Sequence, residues 1–273
     1  MRALLVLNKK SRLGVREAPL VYRTLEELGI QYERDLDAPH VDAVIAAGGD
    51  GTVVRCLPIA IARGIPLAVI PLGTFNDLAR TMSIPLDVRA ACAAILTGKK
   101  RRIDVGRVNG VYYLNEASVG LTTRIARKQT PEVKQKLGVL AIIATTLESL
   151  NQTRPFSVKL EYDNTVERFR TVQLTIANNA HFGGIFERID ASIDDGWLDL
   201  YSIEVESWMN ALGVVRKIVR RDPTPGEGLR TRRSTKFIVR TTHAHHIAAD
   251  GEPAGMTPAT FDILPRAVEV MVP

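Results

Sequence analysis

The residues best suited to chemistry lie in a glycine-rich turn, AAGGDGT at 46–52. The apolar residues before it predict a buried strand, and Thr52 is expected to cap a helix after it. Three glycines allow the backbone to approach a ligand closely: Gly48, Gly49 and Gly51. Such a turn presents backbone N–H groups to a phosphate. Asp50 would repel a bare phosphate, so the turn predicts a phosphate ligand that brings Mg²⁺.

A second polar turn, PLGTFNDLAR at 71–80, follows the next predicted strand. In an open parallel sheet, the loops at the carboxyl ends of neighbouring strands converge on one crevice. We therefore expect both turns to face the same ligand. The first turn matches neither GxxxxGK[ST] nor GxGxxG with a later acid, which excludes those two nucleotide-binding patterns.

The elements that position these turns alternate between strand and helix. Strands are predicted at 3–8, 41–49 and 65–73, and helices at 16–29, 52–64, 76–80 and 86–98. Pro58 predicts a kink or an early break in the second of these helices. Strands that are apolar almost throughout, alternating with helices, are typical of a doubly wound parallel sheet.

The pattern changes after residue 101. Asn109-Gly110 between two strand-like runs predicts a hairpin, and a helical region is expected at 132–151. Short strands then recur, which is typical of an antiparallel sandwich or barrel. We expect an α/β domain at 1–101 and an all-β domain at 102–259, with the last strand, 260–273, able to return to the first domain.

The net charge of +6 is concentrated between residues 216 and 236, a segment that contains eight Lys or Arg residues and only two acidic residues. A helix predicted at 207–221 has apolar residues at helical spacing: Trp208, Met209, Leu212, Val215 and Val219. Such a helix lies on an anionic membrane with its apolar side down, or packs that side in the core while its last-turn cations suit the helix dipole. Nucleic acid is not expected as a partner, because the basic stretch lacks interleaved aromatic residues.

The composition, 45% apolar and 24% charged, is that of a globular protein. The N-terminal apolar run is too short for a signal peptide, and the apolar stretch at 137–147 is too short for a membrane span. Cys56 and Cys92 have neither metal-site spacing nor a disulfide framework, so we expect two core thiols in a cytoplasmic protein.

Four segments together resemble the diacylglycerol kinase catalytic family, and its bacterial lipid kinases most: GGDGT, PLGTFNDLAR, DDGWLD at 194–199 and ADGEP at 249–253. GGDG alone is shared with NAD kinases and phosphofructokinases, but the combination is specific and collinear along the chain. The resemblance implies an α/β nucleotide-binding domain of the NAD kinase/diacylglycerol kinase type followed by a β-sandwich domain. The implied activity is transfer of the γ-phosphate of ATP to a hydroxyl of a diacylglycerol-like lipid.

The resemblance also implies site residues. Those implied to bind ATP are Asn8, Gly48, Gly49, Asp50, Gly51, Thr52, Gly73, Thr74 and Asn76. Asp50 would lie near the metal-bound phosphates, and Glu252 would be the general base that accepts the proton of the lipid hydroxyl. Asp195, with the backbone carbonyls of Ser192 and Trp197, would hold a second, structural Mg²⁺.

Three positions depart from the family pattern: the first loop, 8–12, lacks the usual proline, Val54-Arg55 replaces Asn-Glu, and Phe75 replaces a small residue. A lipid substrate implies peripheral association with an anionic membrane surface. The sequence also leaves open whether the protein forms a homodimer. Two other functions also stay open, namely a kinase of a soluble acceptor such as NAD and a non-catalytic nucleotide-binding regulator. The presence of Glu252 argues against the regulator.

Overall fold

The computed structural model describes residues 1–9, 11–120, 154–178, 181–182, 186–187, 192–205, 210, 213–214, 216–217, 220, 222 and 224–273. The chain forms two compact units. Unit 1 comprises Met1–Val105 and Pro265–Pro273, and unit 2 comprises Gly106–Leu264. Two strands pass from one unit into the other, β5 (Lys99–Val108) and β18 (Ala259–Val272).

Unit 1 is a parallel sheet with helices on both faces. Before β5 its elements are β1 (Arg2–Leu7), α1 (Arg12–Glu27), β2 (Gln31–Glu33), β3 (Ala43–Gly48), α2 (Asp50–Arg63), β4 (Leu67–Pro71), α3 (Asp77–Thr81) and α4 (Val88–Thr97). The strand order is β2-β1-β3-β4-β18, and every pair is parallel. Side chains of α1 and α4 share a core cluster with Ile45 and Ala47, whereas α2 covers the other face, which explains why all of β3 is buried. The doubly wound sheet is therefore confirmed.

Local signals set the helix ends, with two corrections. Ser11 caps α1 by accepting the Gly14 N–H at 3.0 Å, so this helix begins four residues earlier than predicted. Helix α2 continues through Pro58 to Arg63, so the expected break is wrong, because burial of one helix face outweighs the lost hydrogen bond. The expected Thr52 cap is also wrong, since Gly49 is the N-cap of α2 and Thr52 lies in its first turn.

The two cysteines are buried free thiols, as expected. Burial raises the pKa of Cys56 to about 12 and that of Cys92 to about 11. Both thiols are therefore protonated at neutral pH and serve as small apolar core groups.

Unit 2 is a sandwich of two sheets. Between β5 and β18 its strands are β6 (Val111–Tyr113), β7 (Glu116–Gly120), β8 (Phe156–Tyr162), β9 (Thr165–Thr171), β10 (Gln173–Ala177), β11 (His181–Phe182), β12 (Phe186–Glu187), β13 (Leu198–Ile203), β14 (Leu229–Ser234), β15 (Lys236–Thr241), β16 (His246–Ala249) and β17 (Glu252–Met256). One sheet contains β18-β15-β8-β9 and the other β14-β13-β10-β7-β16-β17. Their inward residues form one core, for example Leu160 and Phe237 from the first sheet with Leu174 and Leu200 from the second.

The predicted hairpin at Asn109-Gly110 is confirmed, because Val108 pairs with Val111 and both turn residues have positive φ. The helical region expected at 132–151 lies outside the described residues. So do the apolar positions of the helix expected at 207–221. No helix in the described part of the chain is long and apolar enough to span a bilayer.

Much of the basic stretch 216–236 is neutralised inside unit 2. Lys217 is only 6% exposed, and its Nζ donates to the Thr224 carbonyl at 2.8 Å and pairs with Asp222 at 3.3 Å. Four arginines of the stretch also have carboxylate partners: Arg216, Arg230, Arg232 and Arg233. The stretch is therefore much less available to a membrane than its net charge suggests.

Glu167 is the centre of this network, since it accepts hydrogen bonds from Arg232 at 2.6 Å and Arg230 at 2.5 Å. The bonds from Arg232, followed by those from Tyr162 and the charge of Arg230, lower the pKa of Glu167 from 4.5 to about 2. Ionised Glu167 therefore stabilises the folded state at pH values above its pKa in the unfolded chain. This contribution to the free energy of unfolding is lost as the pH falls toward the pKa of Glu167 in the folded protein.

Replacing Glu167 with glutamine should remove this pH dependence. The wild-type free energy of unfolding should fall by about 2 kcal/mol more than that of E167Q as the pH drops from about 4.5 to about 2. Urea unfolding across this range measures the difference. Parallel curves for the two proteins would show that the pairing does not stabilise the fold.

Candidate active site

Three loops of unit 1 meet at the carboxyl edge of its sheet. The Asn8 N–H, after β1, donates to the Ala47 carbonyl of β3 at 3.0 Å. The Leu72 N–H, after β4, donates to the Gly48 carbonyl at 2.9 Å. The structure thus brings the first loop, the GGDGT turn and the GTFND turn side by side, as expected for neighbouring parallel strands.

The two glycine turns touch through their backbones. A Cβ on Gly73 would lie 2.4 Å from the Cα of Gly49, and a Cβ on Gly49 would lie 2.9 Å from the Cα of Gly73. Neither distance leaves room for a side chain. Both positions therefore require glycine because the turns approach each other, a reason that the sequence alone does not reveal.

Polar groups hold the second turn in shape and tie it to the first. Asn76, in the left-handed region at φ 53°, accepts the Gly73 N–H and donates to the Gly73 carbonyl, both at 2.9 Å. The Asp50 Oδ1 accepts the N–H of Asp77 at 2.7 Å. Asn76 therefore shapes the loop, while Asp50 joins the two turns and keeps its carboxylate at their junction.

The two threonines implied to bind the nucleotide differ in accessibility. Thr52 is only 4% exposed, and its side chain packs over Gly48, where a Cβ would lie 2.2 Å from the Thr52 Oγ1. Thr74 is exposed beside Phe75, whose side chain is 61% exposed. Thr74 can therefore offer its hydroxyl to a ligand, whereas Thr52 acts through its packing and its backbone.

Substituting Gly73 with alanine should separate the two turns. We expect a loss of about 1–3 kcal/mol in the free energy of unfolding, the usual cost of overpacking, and at least about tenfold weaker binding of ATP. Thermal unfolding and calorimetric titration with a non-hydrolysable ATP analogue measure the two effects.

Gly51 is the matched control for Gly73, because a Cβ there meets no atom within 4 Å. G51A should unfold like wild type. Equal stability of G73A and G51A would contradict the close contact of the turns.

Mg²⁺ suits the chemistry of the junction between the turns. This ion takes oxygen ligands and is commonly held by one or two carboxylates together with substrate phosphates. Asp50 provides a carboxylate there, and the exposed Asp77 begins the adjacent helix. The residues therefore fit a Mg²⁺ that arrives with phosphate. Within the described ranges, His, Cys, Asp and Glu form no group of three or more that could hold a metal alone.

The second predicted Mg²⁺ site has a protein counter-ion instead. Both Asp195 oxygens accept backbone N–H groups, from Trp197 at 3.0 Å and Ser192 at 3.2 Å, and the carboxylate pairs with Arg233. Arg233 also lies 3.5 Å from Asp199. In this arrangement the guanidinium of Arg233 occupies the position that a metal ion would take beside Asp195. A structural Mg²⁺ does not fit this arrangement.

Glu252 lies at the tip of a tight hairpin in unit 2. Asp250 and Gly251 form its turn with φ values of 45° and 84°, and Ala249 pairs with Glu252 across it. The Asp250 carboxylate anchors the turn by accepting three backbone N–H groups, those of Leu114 at 2.7 Å and of Asn115 and Glu116 at 3.0 Å. Glu252 itself is exposed. A fixed turn therefore presents its carboxylate to solvent, where an incoming hydroxyl has access to it.

Sequence reasoning missed that Asp77 ties the two glycine turns of unit 1 together and that Asp250 anchors the Glu252 hairpin of unit 2. Asp250 lies within the DGE segment, but its partners at 114–116 are remote in sequence. A third missed feature is a cavity of about 240 Å³ lined by Leu5, Val6, Leu7, Lys9, Tyr22, Arg34 and Leu36. No local pattern predicts it, because its walls come from β1, α1 and the segment after β2.

The comparisons with known proteins agree with this architecture. Residues 3–108 match the family described as the diacylglycerol kinase catalytic domain, and residues 115–272 match the one described as the YegS C-terminal NAD kinase beta sandwich-like domain. A crystal structure of a Bacillus anthracis str. Sterne protein matches with a TM-score of 0.80 at 23% identity, covering 100% of this chain and 95% of the other.

Curated relatives match over most of the chain. A diacylglycerol kinase of Bacillus subtilis (strain 168) is 32% identical over 237 residues, which cover 85% of this chain and 78% of the relative. A diacylglycerol kinase of Staphylococcus saprophyticus is 27% identical over 272 residues, covering 98% of this chain and 88% of the relative. The chain therefore belongs to the diacylglycerol kinase catalytic family, in its bacterial lipid kinase branch.

Proposed function

We propose that this protein is an ATP-dependent lipid kinase that transfers the γ-phosphate to a hydroxyl of a diacylglycerol-like lipid. The observation that carries the proposal is the junction of two glycine turns, where Gly49 meets Gly73 and Asp50 bonds to Asp77. A strand–glycine turn–helix junction offers backbone N–H groups to phosphate. The kinase family to which the chain belongs supports the same reading.

The cavity at the carboxyl edge suits the base of the nucleotide. Its apolar wall includes Leu5 and Leu7, and the Arg34 guanidinium lies 4.6 Å from the centre of the Tyr22 ring. The ring of Tyr32 stacks on that of Tyr22 at 5.6 Å. A planar aromatic base gains from apolar walls and from stacking on a guanidinium. Base and phosphates would then occupy the same edge of the unit 1 sheet.

The acceptor hydroxyl needs a partner for its proton. Glu252 is exposed on a hairpin anchored by Asp250, and a carboxylate of this kind accepts a hydrogen bond from the attacking hydroxyl. When bound, Mg²⁺ neutralises the charge that develops on the phosphate oxygens. The residues of this chain then have distinct tasks: the turns orient the phosphates, and Glu252 takes the proton.

A phosphorylation assay with labelled ATP tests the proposal. The acceptors are a panel of lipids that includes diacylglycerol, with NAD and buffer alone as parallel arms. We expect label in a lipid product only. Label in NAD would identify a soluble-acceptor kinase, and ATP binding without any product would identify a regulator. Either result would overturn the proposal.

A further inference from the structure

A cluster of cations lies on one outer face of the unit 2 sandwich. Along β8, β9 and β15 the core residues alternate with outward residues. Five of the outward residues are basic. One of them, Lys236, pairs in register with Asp262 of β18. The other four are Lys159, Arg168, Arg170 and Arg240, and we call them the basic face. With Ser157, Thr241 and Thr242 they line a cavity of about 450 Å³ open on that side.

Three of these cations stand in one row across the sheet. Lys159 pairs in register with Arg168 on one side and with Arg240 on the other. Like charges directly opposite each other on neighbouring strands destabilise a sheet. Glu161 offsets part of this repulsion, since it lies 2.7 Å from Lys159 and 3.3 Å from Arg240. One carboxylate still leaves the face with a clear positive excess.

Protection of a sheet edge accounts for only part of the row. Cations on an edge strand discourage pairing with another chain, and β9 is the last strand in the order β18-β15-β8-β9. Lys159 and Arg240, however, lie on the inner strands β8 and β15. Glu161 offsets the repulsion between these two cations only in part, and an anionic partner that covers the face would offset the rest.

We propose that the basic face binds the surface of an anionic phospholipid bilayer. This inference rests on the proposed function, because a kinase of a bilayer lipid must act at that surface. The charge of the face complements acidic headgroups, and Lys or Arg near such a surface contributes to binding additively. The bound bilayer also relieves the repulsion along the row.

The test compares two triple variants in vesicle co-sedimentation. R168Q/R170Q/R240Q removes cations from the basic face, whereas R16Q/R23Q/R89Q removes the same charge from exposed residues of α1 and α4 in unit 1. The vesicles are phosphatidylcholine with or without phosphatidylglycerol, over a salt series. We expect the first variant to bind anionic vesicles about 10- to 100-fold more weakly, and the control to bind nearly as wild type. The difference should shrink at high salt because exposed charges are screened.

Equal loss of vesicle binding in both variants would overturn the inference, because it would show a response to net charge alone. Unchanged binding by R168Q/R170Q/R240Q would overturn it too. Phosphorylation of a short-chain, water-soluble acceptor without vesicles separates this inference from the proposed function. If the protein phosphorylates the soluble acceptor but both triple variants bind vesicles equally well, only the inference about the basic face is wrong. If R168Q/R170Q/R240Q alone loses vesicle binding but the protein phosphorylates no acceptor, only the proposed kinase activity is wrong.

Discussion

Replacing Glu252 with glutamine should lower turnover by about two to four orders of magnitude, the usual contribution of a general base. Glutamine keeps the size of the side chain but accepts no proton at neutral pH. Glu252 is exposed, and its hairpin is anchored by Asp250, so the fold should not change. Initial rates with labelled ATP give the turnover, and calorimetry gives the affinity for an ATP analogue, which should match that of wild type.

The matched control for Glu252 is E27Q, since Glu27 is an exposed carboxylate of α1 that pairs with Arg89 at 2.9 Å. We expect wild-type turnover in this variant. If E252Q instead lost ATP affinity and turnover in proportion, Glu252 would act in nucleotide binding or folding, and the general base would have to be another residue.

Substitutions of Asp50 should abolish most of the activity and can separate its two roles. D50N keeps an oxygen that accepts the Asp77 N–H but removes the charge, whereas D50A removes both. We expect turnover to fall about 10²–10³-fold in D50N through lost electrostatic stabilisation. D50A should fall at least as far and should also unfold at a lower temperature, because the two turns lose their tie. Rates over a Mg²⁺ titration, together with thermal unfolding, measure both effects.

The control for Asp50 is D37A, an exposed carboxylate elsewhere in unit 1. It should behave as wild type in rate, Mg²⁺ dependence and unfolding. Near-normal turnover of D50N with an unchanged Mg²⁺ dependence would show that the carboxylate does not act on the metal-bound phosphates.

Features that depend on local sequence could be predicted without the structure. Positive φ at Asn109-Gly110 and the Asp87 cap of α4 follow from residues within a few positions of each other. The alternation of apolar strands and helices predicted the doubly wound sheet, because a buried parallel strand must be apolar on both faces. Even a local signal was misleading at Pro58, which predicted a kink or an early break although α2 continues to Arg63. The free energy gained by burying one face of α2 exceeds the cost of a proline in the helix.

The charge of the basic stretch shows where local reasoning fails. A count of Lys and Arg between 216 and 236 predicts a cationic surface, yet Arg230 and Arg232 pair with Glu167, which is more than sixty residues away. The basic face is the reverse case, because no local stretch of the sequence predicts it. Arg168 and Arg240 are far apart in sequence, and only the pairing of β9, β8 and β15 brings them into one row with Lys159.

By itself the sequence determined the glycine turns, the Asn109-Gly110 hairpin and the type of each domain, because these depend on backbone freedom and on the periodicity of apolar residues. The tertiary structure alone decided that Gly49 meets Gly73, that Asp50 binds Asp77 and that Asp250 caps the amides at 114–116. The physical reason is strand order and register. Short-range preferences act over a few bonds, whereas these contacts exist only after remote strands have paired in one particular alignment.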